Sequence, residues 1–119
     1  MNAPSGTVLV VDDDPSIRLL CRINLELEGF DVREADSAAQ AREALAAGDL
    51  RAVLLDVHLG DESGVAFLDE IRRDHPDVRV ALLTGTVDTP TLDGVTPDAV
   101  IPKPFTLDEL LETVRAIAG

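Results

Sequence analysis

The 119-residue sequence has no tryptophan or tyrosine, only three phenylalanines and a single cysteine, Cys21. Hydrophobic residues still make up 45% of the chain, so its core must be built from aliphatic side chains. One cysteine excludes an intrachain disulfide, and a cysteine-based metal site would need further ligands. Because Cys21 lies in an apolar helical stretch, we predict that it is a small buried hydrophobic residue.

Positive charge is also scarce, since ten lysines and arginines stand against 23 acidic residues and give a net charge of −13. A nucleic-acid-binding surface needs clustered cations to neutralise phosphates, so direct nucleic-acid binding is not expected. Anionic membranes are equally poor partners for such a chain. The charge instead suits cations or basic protein partners.

Long apolar runs are missing as well. No stretch approaches the roughly 18 apolar residues of a membrane span, and the N-terminus lacks the basic and apolar segments of a signal peptide. We therefore expect a cytoplasmic protein without membrane insertion. No linker, composition break or repeat divides the sequence, which predicts a single domain over residues 1–119 with a flexible N-terminus over residues 1–6.

Short apolar runs alternate with amphipathic stretches along the whole chain. Runs rich in Val, Leu and Ile predict five buried strands, over 7–11, 30–35, 52–55, 78–83 and 99–101. Helices are predicted over 15–28, 38–47, 65–74 and 107–118. Their N-caps would be Asp14, Ser37 and, for the last helix, Thr106. This alternation predicts an α/β fold, with a five-stranded parallel sheet and helices on both faces.

The sequence between the fourth and fifth predicted strands does not predict a normal helix. Residues 88–98 contain Pro90, Gly94 and Pro97, all of which oppose a long helix. We therefore predict that the fourth helix of the fold is short or absent.

Polar side chains gather at the predicted carboxyl ends of the strands, which is the edge where such sheets bind ligands. Asp12 and Asp13 follow the first strand, and Asp56 follows the third. An Asp-rich turn alone more often only caps a helix, but carboxylates from two strand ends would meet and repel each other. A hard divalent cation with oxygen ligands relieves that repulsion, so we predict a Mg²⁺ site.

Asp56 is also a candidate nucleophile, because its apolar neighbours predict a carboxylate at the rim of a dry core. A carboxylate beside Mg²⁺ can attack a phosphoryl group and form an aspartyl phosphate. The charge that develops on the phosphoryl oxygens needs donors. Lys103 and Thr84, after the fifth and fourth strands, offer an ammonium and a hydroxyl. Asp56, Thr84 and Lys103 are therefore the candidate catalytic residues.

Four motifs, in this order, make the chain resemble the response-regulator receiver domain of two-component signalling, similar to the single-domain chemotaxis regulators. They are VLVVDDDP at 8–15, LLDVHLGDESG at 54–64, LTG at 83–85 and KPF at 103–105. The resemblance implies a flavodoxin-like (βα)5 fold with Asp56 as the phosphoacceptor. A weakened fourth helix resembles a subclass of single-domain receivers.

The resemblance also implies a set of metal ligands. Asp13 and Asp56 would bind Mg²⁺ through their carboxylates, and Asp12 would act largely through a bound water. His58 would offer its backbone carbonyl to the metal, and its side chain would tune the lifetime of the phosphoryl group.

The remaining implied roles concern phosphoryl transfer. Lys103 would pair with the phosphoryl group, Thr84 would turn its hydroxyl toward it in the active state, and the Lys103–Pro104 bond would be cis. The donor would be a phosphohistidine on a sensor histidine kinase or a phosphotransfer protein, and phosphorylation would alter binding to a downstream protein. Such a chain is a signalling switch and not an enzyme, because it catalyses only its own phosphorylation and dephosphorylation.

The sequence departs from the family pattern at several positions. Gly60 stands where the family usually has proline, and Asp14 replaces the common glutamate. Val100 occupies the place of an aromatic ring that normally changes rotamer together with the threonine, so we do not expect the usual aromatic readout. The segment between Thr84 and Lys103 is shorter than usual, in the region of the fourth helix.

Three alternatives remain. The chain would serve equally as the receiver part of a larger regulator or hybrid kinase. A Mg²⁺-dependent aspartyl-phosphate phosphatase of the haloacid dehalogenase type is more remote, because such enzymes carry a second Asp two residues after the nucleophile, where this chain has His58. A pseudo-receiver that only docks usually lacks an acid, the lysine or the phosphoacceptor, and this sequence has all of them.

Overall fold

The computed structural model describes residues 6–60, 62–85 and 96–118. The strands in this part of the chain are β1 (Thr7–Val11), β2 (Asp31–Ala35), β3 (Leu50–Asp56), β4 (His58–Leu59), β5 (Glu62–Ser63), β6 (Arg79–Thr84) and β7 (Ala99–Pro102). The helices are α1 (Pro15–Leu27), α2 (Ala38–Ala47), α3 (Gly64–Asp74) and α4 (Leu107–Ala118).

Five strands form one parallel sheet in the order β2-β1-β3-β6-β7, which confirms the predicted five-stranded parallel sheet. The chain moves outward in one direction from β1 to β2 and in the other from β3 to β6 and β7. The switch in direction therefore lies between β1 and β3, where ligands bind in folds of this kind. Val11 of β1 pairs with Leu55 of β3, so the residues that follow each of them, Asp12 and Asp56, are neighbours.

Each face of the sheet has its own aliphatic core, because neighbouring residues of a strand point to opposite faces. One core joins odd-numbered residues of β1 and β3 and even-numbered residues of β6 to α2 and α3, and includes Leu9, Val11, Val53, Leu55, Val80, Leu82, Ala41, Leu45, Leu68 and Ile71. The other joins even-numbered residues of β1 and β3 and odd-numbered residues of β6 and β7 to α1 and α4, and includes Val8, Val10, Ala52, Leu54, Ala81, Leu83, Ile101, Cys21, Leu25, Leu110 and Val114. Helices on both faces are thereby confirmed.

Cys21 is fully buried in the second core, as predicted. Burial raises the pKa of its thiol to about 12, since the thiolate would lose its hydration, and the nearby charge of Asp12 adds to this effect. The side chain is therefore a packing residue.

The predicted helix starts are confirmed by their caps. The side chains of Asp14, Ser37 and Thr106 each accept a hydrogen bond from a backbone N–H in the first turn, at 2.8, 3.2 and 3.1 Å. Such caps satisfy backbone donors that have no partner within the helix.

Strand boundaries differ slightly from the sequence-based prediction. β3 begins at Leu50 rather than Ala52, because a register shift next to Thr7 lets Leu50 pair with the start of β1. The predicted loop after Asp56 contains a small antiparallel ribbon of β4 and β5. Gly60 lies within it at a φ of 61°, which proline cannot adopt because its ring holds φ near about −65°. Proline therefore could not occupy position 60 in this turn.

The fourth helix of the fold was predicted to be short or absent over residues 88–98, and residues 88–95 of that stretch lie outside the described residues, as do residues 1–5 of the N-terminus predicted to be flexible. Just before β7, Asp98 accepts hydrogen bonds from the backbone N–H of Val80 and the guanidinium of Arg72, both at 2.7 Å. These contacts hold the segment that precedes β7 against β6 and α3.

Within the described residues, no helix is both long and apolar enough to cross a membrane.

Candidate functional site

The loop after β1 holds Asp12 by its backbone and by its side chain. Its N–H donates to the carbonyl of Ala35 at 3.1 Å, and its side chain is completely buried. Oδ1 accepts the backbone N–H of Asp14 at 2.9 Å, while Asp13 between them is exposed. The loop therefore presents one buried and one exposed carboxylate beside the end of β3.

Asp56 ends β3, and only 7% of its surface is exposed. Its Oδ1 accepts the backbone N–H of His58 at 3.2 Å. Asp12, Asp13 and Asp56 each offer a carboxylate oxygen, and the three oxygens lie within 4.8 Å of one another. The structure therefore brings together the three acids that the sequence placed at the ends of two strands.

Lys103 closes the site from the end of β7. Its Nζ lies 2.8 Å from Oδ2 of Asp12 and 3.6 Å from Oδ1 of Asp56. Its backbone N–H donates to the carbonyl of Thr84 at 2.6 Å, and the Lys103–Pro104 bond is cis, as expected. One ammonium thus bridges the two buried carboxylates.

Thr84 and His58 flank this cluster. Thr84 ends β6, the neighbour of β3 in the sheet, and is 4% exposed. His58 begins β4 and is exposed, and its described contact with the cluster is its N–H bond to Asp56. All six candidate residues are therefore at the same edge of the sheet.

Burial and crowding alter the acid–base behaviour of the cluster. Burial is the largest effect on Asp56 and raises its pKa. The hydrogen bond from the His58 N–H opposes this, the charge of Asp12 raises the pKa further, and the charge of Lys103 lowers it. Burial opposes the charge of Lys103, but its contacts with Asp12 and Asp56 outweigh burial and raise its pKa. Three carboxylates and one ammonium leave two negative charges without a counter-charge, which matches a divalent cation.

Glycine is needed at position 64, the last residue of the motif at 54–64, for a packing reason that the sequence alone did not reveal. It begins α3 directly against the backbone of the candidate phosphoacceptor, and its N–H donates to the carbonyl of Val57 at 2.7 Å. A Cβ atom at this position would overlap the carbonyl oxygen of Asp56 and lie 2.7 Å from Cα of Val57. Glycine is therefore required by the close approach.

Arg18 of α1 was missed by the sequence analysis. Its Nη1 donates to the carbonyl of Asp12 at 2.6 Å, and its Nε contacts Oε1 of Glu34 at 3.2 Å. Glu34 lies on β2, 16 residues away, so no local spacing rule could have identified the pair.

Two cavities lie in different parts of the molecule. A cavity of about 410 Å³ beside the cluster is lined by Ile17, Leu20, Lys103, Pro104 and Phe105. Another, of about 620 Å³, is lined by Arg51, Asp77, Arg79, Asp98, Ala116 and Ile117 at the opposite ends of the strands. The second has no residue in common with the carboxylate cluster, so we place the candidate site at the cluster.

Comparison with known proteins identifies a family and several relatives. Residues 8–115 match the family model of the response regulator receiver domain. The chain is 32% identical over 116 residues to the sensor kinase CckA of Brucella abortus, covering 93% of this chain and 12% of that protein. It is 34% identical over 117 residues to the DNA-binding transcriptional regulator NtrC of Rhizobium meliloti, covering 95% and 24%. The chain thus spans less than a quarter of each of these relatives.

A solved structure supports the same fold. The crystal structure of the receiver domain of NtrX from Brucella abortus is similar to this chain with a TM-score of 0.86 and 32% identity. The match covers 93% of this chain and 97% of that one.

Proposed function

We propose that this chain, which belongs to the response regulator receiver domain family, is a phosphorylation-dependent signalling switch with Asp56 as its phosphoacceptor. The observation that carries this assignment is the bridge of Lys103 between Asp12 and Asp56 within a group of three carboxylates. A buried nucleophilic oxygen, an acidic cation site and an ammonium are thereby placed within a few ångströms. This combination suits attack on a phosphoryl group, because it joins a nucleophile to the charges that stabilise the phosphoryl oxygens.

We propose that the cluster holds Mg²⁺ through Asp13 and Asp56, with the backbone carbonyl of His58 as a further ligand. Asp12 would act largely through a bound water, and its two carboxylate oxygens also accept hydrogen bonds, at 2.9 Å from Asp14 and 2.8 Å from Lys103. Carboxylate and carbonyl oxygens are the ligands that this hard cation prefers. When bound, the cation supplies charge neutralisation at the acids and polarises a phosphoryl oxygen.

In the proposed step, a carboxylate oxygen of Asp56 attacks the phosphorus of a phosphohistidine. A P–O bond forms, the P–N bond breaks, and the leaving imidazole takes the electron pair and then a proton from solvent. The ammonium of Lys103 would stay beside the transferred group and offset its charge, and the Thr84 hydroxyl would donate a hydrogen bond to a phosphoryl oxygen in the phosphorylated state. Later attack by water on phosphorus breaks the P–O bond and restores the Asp56 carboxylate.

Each molecule would modify only itself, so the chain is not proposed to turn over other substrates. The donor would be a sensor histidine kinase or a phosphotransfer protein, in the cytoplasm, and the phosphorylated form would alter affinity for a downstream protein. Val100 is 43% exposed on β7. It has no aromatic ring that could change rotamer together with Thr84, so the usual aromatic readout is not available to this chain. We propose a protein target rather than direct nucleic-acid binding, because the net charge is −13.

We also propose that residues 1–119 form one receiver domain, since both cores are built on one sheet. The curated relatives named above are several times longer than this chain, which favours a second arrangement in which the same domain is part of a larger regulator or hybrid kinase. The chemistry at Asp56 is the same in both arrangements.

The test is the intact mass of the protein after incubation with acetyl phosphate, with and without Mg²⁺. Wild type should gain one phosphoryl group only with Mg²⁺, and Asp56→Asn should gain none. Asp69→Asn is the matched control, because it removes an exposed carboxylate on α3 away from the cluster. An adduct on Asp56→Asn would refute the assignment, and so would an unmodified wild type that also gives no beryllofluoride-induced spectral change.

A further inference from the structure

The backbone of Asp12 is held from two directions, through the peptide unit before it and the peptide unit after it. On one side, the N–H of Asp12 donates to the carbonyl of Ala35, at the end of β2. On the other, its carbonyl accepts a 2.6 Å hydrogen bond from Nη1 of Arg18, whose Nε contacts Glu34 on the same strand. We propose that Arg18 is the positioning residue of the acidic loop and sets the orientation of both aspartates toward the cation site.

The geometry explains why this contact matters more than an ordinary surface ion pair. The carbonyl oxygen of Asp12 belongs to the peptide plane that joins the two aspartates. A strong hydrogen bond to this oxygen therefore restricts the backbone dihedral angles on both sides of the plane. Asp13 is exposed on a loop, so without this restriction its carboxylate would be free to leave the cluster.

The guanidinium group is suited to this role. Its planar fork offers several N–H donors in fixed directions, so Arg18 can hold the Asp12 carbonyl and Glu34 at once. The side chains of Arg18 and Glu34 are only 17% and 27% exposed, which limits competition from water. A lysine would have a single ammonium for two acceptors that lie in different directions.

Arg22, one turn further along α1, provides a matched comparison. It also pairs with Glu34, through Oε2 at 2.9 Å, and with Glu26 at 3.4 Å. Its side chain is 46% exposed, and its described contacts are with these two acids. Replacement of Arg22 removes an ion pair with Glu34 but leaves the Asp12 carbonyl bonded to Arg18.

The effect of Arg18 on Mg²⁺ binding rests on the proposed function. Calorimetric titration with Mg²⁺ tests it. Arg18→Met should weaken Mg²⁺ binding about 10-fold, as expected for loss of a residue that orients metal ligands. Arg22→Met should change it by less than about 2-fold, because exposed ion pairs contribute little. Glu34→Gln should weaken binding to an intermediate degree, and Arg18→Lys should not restore it.

A second readout is independent of any metal. The amide proton of Asp14 is bonded to Oδ1 of Asp12, so its hydrogen exchange in metal-free buffer reports on the orientation of that side chain. Arg18→Met should accelerate this exchange by up to about 10-fold, the effect of losing one hydrogen bond, and Arg22→Met should leave it near the wild-type rate. Thermal melting would show that each variant is folded under these conditions.

The two arms separate the possible failures. Unchanged Asp14 exchange in Arg18→Met, or equal acceleration in Arg22→Met, would overturn the role of Arg18. So would wild-type Mg²⁺ affinity in Arg18→Met. If the wild-type protein itself bound no Mg²⁺, the cation site of the proposed function would be wrong, and the exchange rates would still decide whether Arg18 positions the loop.

Discussion

Replacing the candidate phosphoacceptor should make the metal-free protein more stable. Asp56 contributes one of three carboxylate oxygens that lie within 4.8 Å of one another. At that separation and an effective dielectric constant of about 20, each pair of negative charges repels by about 3 kcal/mol. Asp56→Asn removes two such repulsions and keeps an oxygen that can accept the His58 N–H, which is 3.2 Å away.

The net gain is smaller than the sum of these repulsions. Lys103, 3.6 Å from Oδ1 of Asp56, attracts the same charge, and water screens the exposed Asp13. We therefore expect Asp56→Asn to raise the free energy of unfolding by about 1–2 kcal/mol at pH 7 without Mg²⁺. For a domain of this size, this corresponds to a rise in Tm of about 4–8 °C.

The effect should depend on pH in a defined direction. Burial raises the pKa of Asp56 in the folded state, so protonation of this residue stabilises the folded state at acidic pH. That stabilisation is lost as the pH rises through the raised pKa. The advantage of Asp56→Asn should thus grow from acidic to neutral pH. Urea unfolding of wild type and Asp56→Asn at several pH values measures it, with Asp69→Asn as the control. A variant less stable than wild type at pH 7 would refute the electrostatic reasoning.

Three further predictions concern the same site and its supports. Mg²⁺ should raise the Tm of wild type, because it binds only the folded state, and Asp13→Asn should remove most of that increment in a thermal melt; an unchanged increment would rule out Asp13 as a ligand. Gly64→Ala should destabilise the protein by about 1–3 kcal/mol in urea unfolding and slow phosphorylation by acetyl phosphate, because its Cβ would displace the Asp56 backbone. Asp98→Ala should cost about 2 kcal/mol, because Asp98 accepts hydrogen bonds from Val80 and from a charged guanidinium. Burial opposes the charge of Asp98 but its hydrogen bonds outweigh burial and lower its pKa, so this stabilisation should be lost in urea melts below a pH of about 4 and retained above it.

Much of the fold could be predicted from local patterns. The run at 7–11 became β1 without a change of boundary, and the caps at Asp14 and Ser37 started their helices at the predicted residues. The site followed from one topological rule, because parallel strands bring their carboxyl ends to a common edge. Asp12 and Asp56 could thus be predicted as neighbours from two strands far apart in the sequence.

The features that sequence did not reveal depend on tertiary contacts. Arg18 meets Asp12 and Glu34 only after α1 has packed beside β2, and spacing along a helix says nothing about that. The start of β3 depended on a register shift in its pairing with β1. The need for glycine at position 64 arises from the close approach of α3 to the end of β3, and not from its backbone angles.

Chemical mapping of the phosphoryl group would test the central claim most directly. An acyl phosphate on an aspartate is reduced by borohydride to homoserine, which marks the modified residue permanently. After treatment with acetyl phosphate and Mg²⁺, followed by borohydride and peptide sequencing by mass spectrometry, we predict homoserine at position 56 alone. Homoserine at position 12 or 13, or a phosphoryl group that resists borohydride because it is on a side chain other than a carboxylate, would contradict the assignment of Asp56.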